Sequence, residues 1–164
     1  MRKIKAEKLS QEMFKEYGQI LTIPDELIPT SLEGSGFKHR GELAFMDTHG
    51  LLEFGVTTFE KRSMVAPELE QHAKTPELLF AMDGPFVIPI ALRTNQGEGD
   101  LPNERSIKAI LVEQGQGVIF GDGVWHAAPY PLKEKSSVLV GFKKHSWKHD
   151  IVLKTLAEPI EIEV

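Results

Sequence analysis

The chain has 164 residues, 41% hydrophobic and 26% charged, the balance of a soluble folded protein with a sizeable core. Its 24 acidic and 19 basic side chains leave a formal charge of −5, which argues against a nucleic-acid or anionic-membrane partner. The absence of cysteine excludes disulfides, thiolate metal sites and thiol nucleophiles.

The N-terminus from Met1 to Leu9 is charged and lacks the apolar stretch of a secretory signal, so a cytoplasmic protein is expected. No apolar run is long enough to span a bilayer as a helix. Ser10 is placed to cap a short helix, with Gln11 and Glu12 in its first turn and Gly18 ending it in the left-handed conformation. Met13, Phe14 and Tyr17 then share an apolar face that packs on the body of the protein. From Leu43 onward the pattern becomes strand-like. Residues 51–60 carry Phe54, Val56, Thr57, Thr58 and Phe59, all β-favouring. Residues 78–82 and 86–92 flank Asp83-Gly84, which reads as a tight hairpin turn. Pro89 places the second of these runs at a sheet edge or a bulge. Polar residues 94–106, with Gly97, Gly99 and Pro102, read as a long exposed loop. Strands over 107–113, 118–120 and 138–143 complete the set. No repeat or domain boundary interrupts the pattern, so residues 1–164 read as one mostly β domain, a sandwich or barrel.

Two segments carry residues suited to metal chemistry. In Glu70-Gln71-His72, extended backbone puts Glu70 and His72 on one face, and the turn-prone Lys74-Thr75-Pro76 returns Glu77 beside them. In Gly115-Gln116-Gly117 through Gly121-Asp122-Gly123-Val124-Trp125-His126, the glycines allow a sharp turn that delivers His126 to a strand start. These spacings resemble the two cupin motifs. Glu70, His72, Glu77 and Gly84 fit the first, with Glu70 where cupins usually carry a His; Gly115, Gly121, Gly123 and His126 fit the second. The resemblance implies a cupin fold, a double-stranded β-helix or jelly-roll barrel, with a short N-terminal helix ahead of it. It also implies a divalent transition metal, Mn²⁺, Fe²⁺, Ni²⁺ or Zn²⁺, held by Glu70, His72, Glu77 and His126. Open coordination positions would face a small anionic substrate.

The likeness narrows further. Leu9-Ser10-Gln11-Glu12-Met13-Phe14-Lys15-Glu16-Tyr17-Gly18, Glu68-Leu69-Glu70-Gln71-His72, Phe80-Ala81-Met82-Asp83-Gly84 and Gly123-Val124-Trp125-His126 together resemble the ureidoglycolate lyase family. That family releases urea and glyoxylate from ureidoglycolate in purine nitrogen recovery. The resemblance implies a carbon–nitrogen lyase of the amidine type, with Glu70, His72 and His126 as catalytic residues beside the metal. Lys143, Lys144 or Arg62 would neutralise the substrate carboxylate, and Lys143 joins the catalytic set on that ground. Gln71 stands where the family has Arg, Gly121 where it usually has His, and Ala127 where His or Pro is common. Those departures keep two other readings open: a metal-dependent cupin isomerase or epimerase of sugar acids, and a cupin that binds a small ligand without turnover.

Other patterns carry less. His145 and His149 have the spacing of a helical metal pair, but 142–154 reads as strand and loop. Gly97-x-Gly99, Gly115-x-Gly117 and Gly121-x-Gly123 lack the third glycine of a dinucleotide site, and no nucleophile-elbow motif occurs. Trp125 reads as a core or pocket-wall aromatic. Exposed edges of such a barrel are commonly satisfied by isologous pairing, so a homodimer is expected.

Overall fold

The computed structural model describes residues 1–94 and 100–164. In chain order the elements are β1 (Arg2–Lys8), the helical turn α1 (Gln11–Phe14), β2 (Gly18–Leu21), β3 (Ser31–Gly34), β4 (Phe37–Arg40), β5 (Leu52–Glu60), β6 (Val65–Gln71), β7 (Glu77–Ala81) and β8 (Phe86–Ala91). A 3-10 turn (Glu104–Ser106) leads to β9 (Lys108–Val112), β10 (Gly117–Phe120), β11 (Trp125–His126), β12 (Tyr130–Pro131), β13 (Lys135–Lys143), the helical turn α2 (Ser146–His149) and β14 (Val152–Glu163).

Seven strands pair in the order β11-β6-β14-β1-β9-β8-β12, and β11 also pairs β8, so six of them close into a ring. A second sheet, β2-β10-β7-β13-β5, faces it, and β3-β4 forms a separate ribbon. This is the mostly β, barrel-type architecture expected from the sequence. β8 shows how one strand serves two cores. Phe86, Ile88 and Ile90 point to the core shared with the five-stranded sheet, while Val87 and Ala91 point inside the ring toward Trp125, Ile160 and Ile162. Side-chain alternation with period two explains the split, and burial on both faces explains why the strand reads as an unbroken apolar run.

Several local expectations change. The Asp83-Gly84 turn is not a hairpin, because β7 pairs β10 and β13 in one sheet whereas β8 pairs β9, β11 and β12 in the other. It is a corner between sheets, fastened when Asp83 Oδ1 accepts the Ser137 N–H at 2.6 Å. Lys133 adds a bond to the Asp83 carbonyl at 2.8 Å. Pro89 lies in a central strand, not at an edge. Its carbonyl accepts the Ala127 N–H, and its missing N–H points the same way, at the break between β11 and β12. The bulge half of that expectation is therefore met on the neighbouring strand. The N-terminal helix is one turn, with Ser10 Oγ accepting from Met13 N as expected. Gly18 lies beyond it, opening β2 at φ 152° rather than capping the helix in the left-handed region. Residues 145–149, expected as strand and loop, form a helical turn, α2, with His145 at its N-cap. Of the loop expected over 94–106, the later part is tied by an Arg93–Pro102 bridge and the 3-10 turn. Gly97-x-Gly99 lies outside the described residues.

A Cβ on Gly18 would overlap the backbone carbonyl of Ile119, which no rotamer change relieves. Gly18→Ala should therefore destabilise the protein by at least about 2 kcal/mol. The melting temperature followed by circular dichroism should fall by roughly 4–8 °C; an unchanged value would contradict this account. The Asp83 corner has a pH signature. The hydrogen bonds from Ser137, backbone first, hold its carboxyl below the ordinary 3.8, and the Lys133 ammonium adds a smaller pull. A depressed carboxyl stabilises the fold above its unfolded value and loses that effect as pH falls through the folded one. Asp83→Ala should melt below the parent at pH 7, with the gap closing below pH 3.8; a gap independent of pH counts against the corner.

Candidate metal and active site

The cavity of about 550 Å³ opens where β5, β7 and β13 of the smaller sheet face β6 and β11 of the larger. Three local devices bring its polar residues together. β11 is only two residues long but pairs on both sides, so His126 lies opposite Glu70 and Trp125 opposite Gln71. Directly opposed residues project to the same face, which puts Glu70 and His126 into the cavity together. Gly123 adopts φ 74° in the turn that feeds β11, and its N–H bonds the His72 carbonyl at 2.8 Å, joining the two motif segments. A Cβ there would meet the Arg93 guanidinium at 2.7 Å. Thr75 Oγ1 accepts the Lys143 N–H at 3.0 Å and pins the turn that returns the chain into β7 at Glu77.

His72, Glu77 and His126 offer donor atoms that all lie within 4.8 Å of one another, and all three residues are buried. His126 Nε2 is 2.9 Å and His72 Nε2 3.6 Å from Glu77 Oε2. Glu70 stands outside that mutual set, with Oε1 3.5 Å from His126 Nε2 and its side chain partly open to solvent. Each imidazole is oriented from behind. His72 Nδ1 lies 2.7 Å from the Asp150 carbonyl and His126 Nδ1 3.2 Å from the Val124 carbonyl. A carbonyl can only accept, so both Nδ1 atoms carry the hydrogen and both Nε2 atoms face the cavity. Phe120 stacks on the His126 ring at 4.9 Å and 18°.

Among the described residues nothing satisfies two of the atoms that converge. Glu77 Oε2 and His126 Nε2 are buried and, although close, make no hydrogen bond of acceptable geometry. A buried polar group left this way costs about 1–3 kcal/mol. An imidazole already protonated at Nδ1 turns an Nε2 lone pair onto a carboxylate oxygen, and only a proton or a cation between them relieves the repulsion. The local charges favour the proton solution. Burial is the largest influence on the Glu77 carboxyl and pushes it up, but the pulls of His126 and His72 together outweigh it and hold the carboxyl below 4.5. Burial likewise pulls His126 down most strongly, and Glu77, Glu70 and the Val124 carbonyl together reverse that and raise it above 6.5. The cation solution fits the donor chemistry: two imidazole Nε2 atoms and one carboxylate oxygen suit a divalent first-row ion with positions left open.

The other expected residues lie elsewhere. Val140 and Phe142 line the cavity, so alternation along β13 turns Lys143 away from it, and the Lys143 side chain runs past Gly50. This corrects the expectation of a catalytic Lys143. Arg62 donates to the Pro129 and Ala128 carbonyls and lies 3.9 Å from the Tyr130 ring centroid. Neither Arg62 nor Lys144 lines the cavity; among the described residues no Lys or Arg does. Gln71 faces the opposite side, donating to the Gly123 carbonyl and to Asp100. Gly121 borders a different groove, beside Tyr17 and Arg93. Trp125 is a core residue inside the ring. His145 and His149 join no metal-type group among the described residues. Sequence reasoning missed Glu53, Thr57, Trp147 and Ile151, which also line the cavity. The β5 alternation Glu53-Gly55-Thr57-Phe59 carried the signal for the first two; Trp147 in α2 and Ile151 just beyond it had none.

The profile of the ureidoglycolate lyase family matches residues 1–163. The chain belongs to the ureidoglycolate lyase family. A search of curated proteins returns no match. Among solved structures it is similar to Bacillus subtilis oxalate decarboxylase, in a study of that enzyme's Mn(II) centres, with TM-score 0.45 and 15% identity. Two further structures of the same enzyme, on its substrate binding mode and on its proton-coupled electron transfer, match with TM-score 0.44 and 15% identity. Each match covers 65% of this chain, which spans only 24% of the decarboxylase chain. Within the lyase family, Gln71 and Gly121 are departures that point away from this cavity.

Protein prepared without chelator or affinity tag, then dialysed with Mn²⁺, Fe²⁺, Ni²⁺ or Zn²⁺, should retain about one ion per chain by elemental analysis. His126→Ala and Glu77→Gln should each weaken binding by more than the roughly 10–100-fold that loss of an outer hydrogen-bond partner costs. Wild-type protein that retains none of the four ions would remove the metal site.

Proposed function

We propose that the protein is a metal-dependent carbon–nitrogen lyase of the amidine type that cleaves ureidoglycolate to glyoxylate and urea. The convergence of His72, Glu77 and His126 at the deep end of the cavity, with Glu77 Oε2 and His126 Nε2 unsatisfied, carries this reading, together with membership of the family. His72, Glu77 and His126 would hold the ion. A divalent ion bound there supplies positive charge for the substrate carboxylate and lowers the pKa of its hydroxyl.

The chain's own residues divide the remaining work. Glu70 differs from Glu77 in being partly solvated. It is the proton acceptor for the substrate hydroxyl and can return that proton to the leaving nitrogen. Leu79, Val140 and Phe142 line the wall beside the ligands and keep bulk water from the reacting carbon. The Asp150 and Val124 carbonyls hold both imidazoles in one tautomer, so their orientation is set before substrate arrives.

Ureidoglycolate incubated with metal-loaded protein should yield glyoxylate, followed by coupling to a dehydrogenase, faster than its spontaneous breakdown. Glu70→Gln should lower kcat by about 100-fold or more, the scale of a lost general base, while metal content stays near one ion per chain. Lys143→Gln should stay within about twofold of wild type, because surface substitutions away from a site usually have small effects. Glyoxylate release no faster than the blank from folded, metal-loaded protein would withdraw the lyase assignment.

A further inference from the structure

The polarity of the cavity is divided along its depth. Glu77, His126 and His72 lie at the buried end, with Glu70 beside them. Toward solvent the lining includes Phe59, Trp147 and Ile151, of which Trp147 and Ile151 are 51% and 42% exposed. Among the described residues outside the deep cluster, Glu53, Thr57 and the indole N–H of Trp147 are the polar side-chain groups of the lining, and Glu53 Oε2 already accepts the His145 N–H at 2.9 Å. Ureidoglycolate is small, and its ureido group presents a carbonyl and N–H groups that each need a partner. An outer chamber with this wall leaves such groups poorly matched. A cavity of about 550 Å³ also lies within the range that encloses much larger ligands.

We propose that the cavity takes larger members of the same substrate class: N-acyl-α-hydroxyglycines whose acyl group is aromatic or hydrocarbon. This inference rests on the lyase reading above and specifies what the outer chamber selects. The hydroxy-acid end is common to these compounds and ureidoglycolate and lies at the deep cluster. The substituent on the acyl carbon stands where ureidoglycolate has its terminal NH₂ and covers the half-exposed faces of Trp147 and Ile151. The bond changes balance without an oxidant or reductant. Glu70 takes the hydroxyl proton, and the O–H electron pair becomes the second bond of the glyoxylate aldehyde. The C–N bond then breaks with its pair on the amide nitrogen, which takes up a proton. The products are glyoxylate and a primary amide. Trp147 is the specificity-determining residue, since it is the large aromatic at the mouth and α2 presents it without burying it.

The test compares N-benzoyl-α-hydroxyglycine with ureidoglycolate on the full-length, metal-loaded protein, reading glyoxylate for both and benzamide or urea for each. Expected is a kcat/KM for the benzoyl compound about tenfold above that for ureidoglycolate. Trp147→Ala should raise its KM about tenfold, and Trp147→Phe should recover most of that loss. Independently of turnover, N-benzoylglycine, which lacks the reacting hydroxyl, should perturb the fluorescence of wild type and protect it from quenching by acrylamide. Turnover of the benzoyl compound alone supports the inference and moves the substrate reading to it. Turnover of ureidoglycolate with the benzoyl compound equal or worse overturns the inference and leaves the lyase reading intact. Failure of both compounds to yield glyoxylate above the blank overturns both.

Discussion

His126 Nε2 and Glu77 Oε2 are held 2.9 Å apart where solvent does not reach, and neither has a hydrogen-bond partner. Each would be costly alone, and with the proton of His126 committed to the Val124 carbonyl they repel unless a positive charge stands between them. The barrel enforces this. Glu77 opens a strand buried at the middle of one sheet, and His126 occupies a two-residue strand clamped between β6 and β8 of the other. Neither side chain can withdraw to water without breaking a ladder. The rest of the site is arranged around that enforced closeness, and a proton or an ion resolves it.

The clamp on β11 also fixes what does not belong to the site. Opposed residues share a face, so the register that sends Glu70 and His126 into the cavity sends Gln71 and Trp125 the other way. A slip of one residue would exchange the two sets and place an amide and an indole where the ligands are. Such a slip is opposed by the ring core, which buries Trp125, Leu69 and Ala66. Packing behind the sheet thus decides the chemistry in front of it.

Much of this was legible in the chain. The four site carboxylates and imidazoles were identifiable because strand parity and turn residues act locally, within 70–77 and 115–126. Ser10 as a cap and β5 as a strand are local features too. Apart from Gly18 and the 145–149 turn, the failures are non-local. Asp83-Gly84 has the chemistry of a hairpin turn, and only the pairing of β7 with β13 rather than β8 makes it a corner between sheets. Pro89 looked like an edge marker, yet a break in the neighbouring strand accommodates its missing N–H in the sheet centre. Lys143 has the right charge and lies one residue from Phe142, which does line the cavity; a single step along β13 reverses its direction. Trp147 and Ile151 reach the mouth through α2 and the Asp150 turn, and no periodicity in 145–151 signals that approach.

Parity also governs how departures from a family pattern should be weighed. Gln71 replaces an Arg, and in sequence that reads as the loss of a positive group needed by a carboxylate substrate. In the fold, residue 71 faces Gly123 and Asp100, so an Arg there would have met the Asp100 carboxylate and not the substrate. Residue 121 borders the groove beside Tyr17 and Arg93, so a His at that position would have left the cavity unchanged. The chemistry of the deep end is therefore insensitive to both substitutions. The cavity itself is lined by Glu53, Glu70 and Glu77 and by no Lys or Arg among the described residues, and the His126 imidazole that could carry a positive charge lies 2.9 Å from Glu77. Under the proposed lyase reading, Coulomb repulsion between a carboxylate substrate and these three acids, in a partly enclosed site of reduced dielectric, favours a bound cation beside the substrate. The residues that make the cavity acidic are the same residues that can hold that cation.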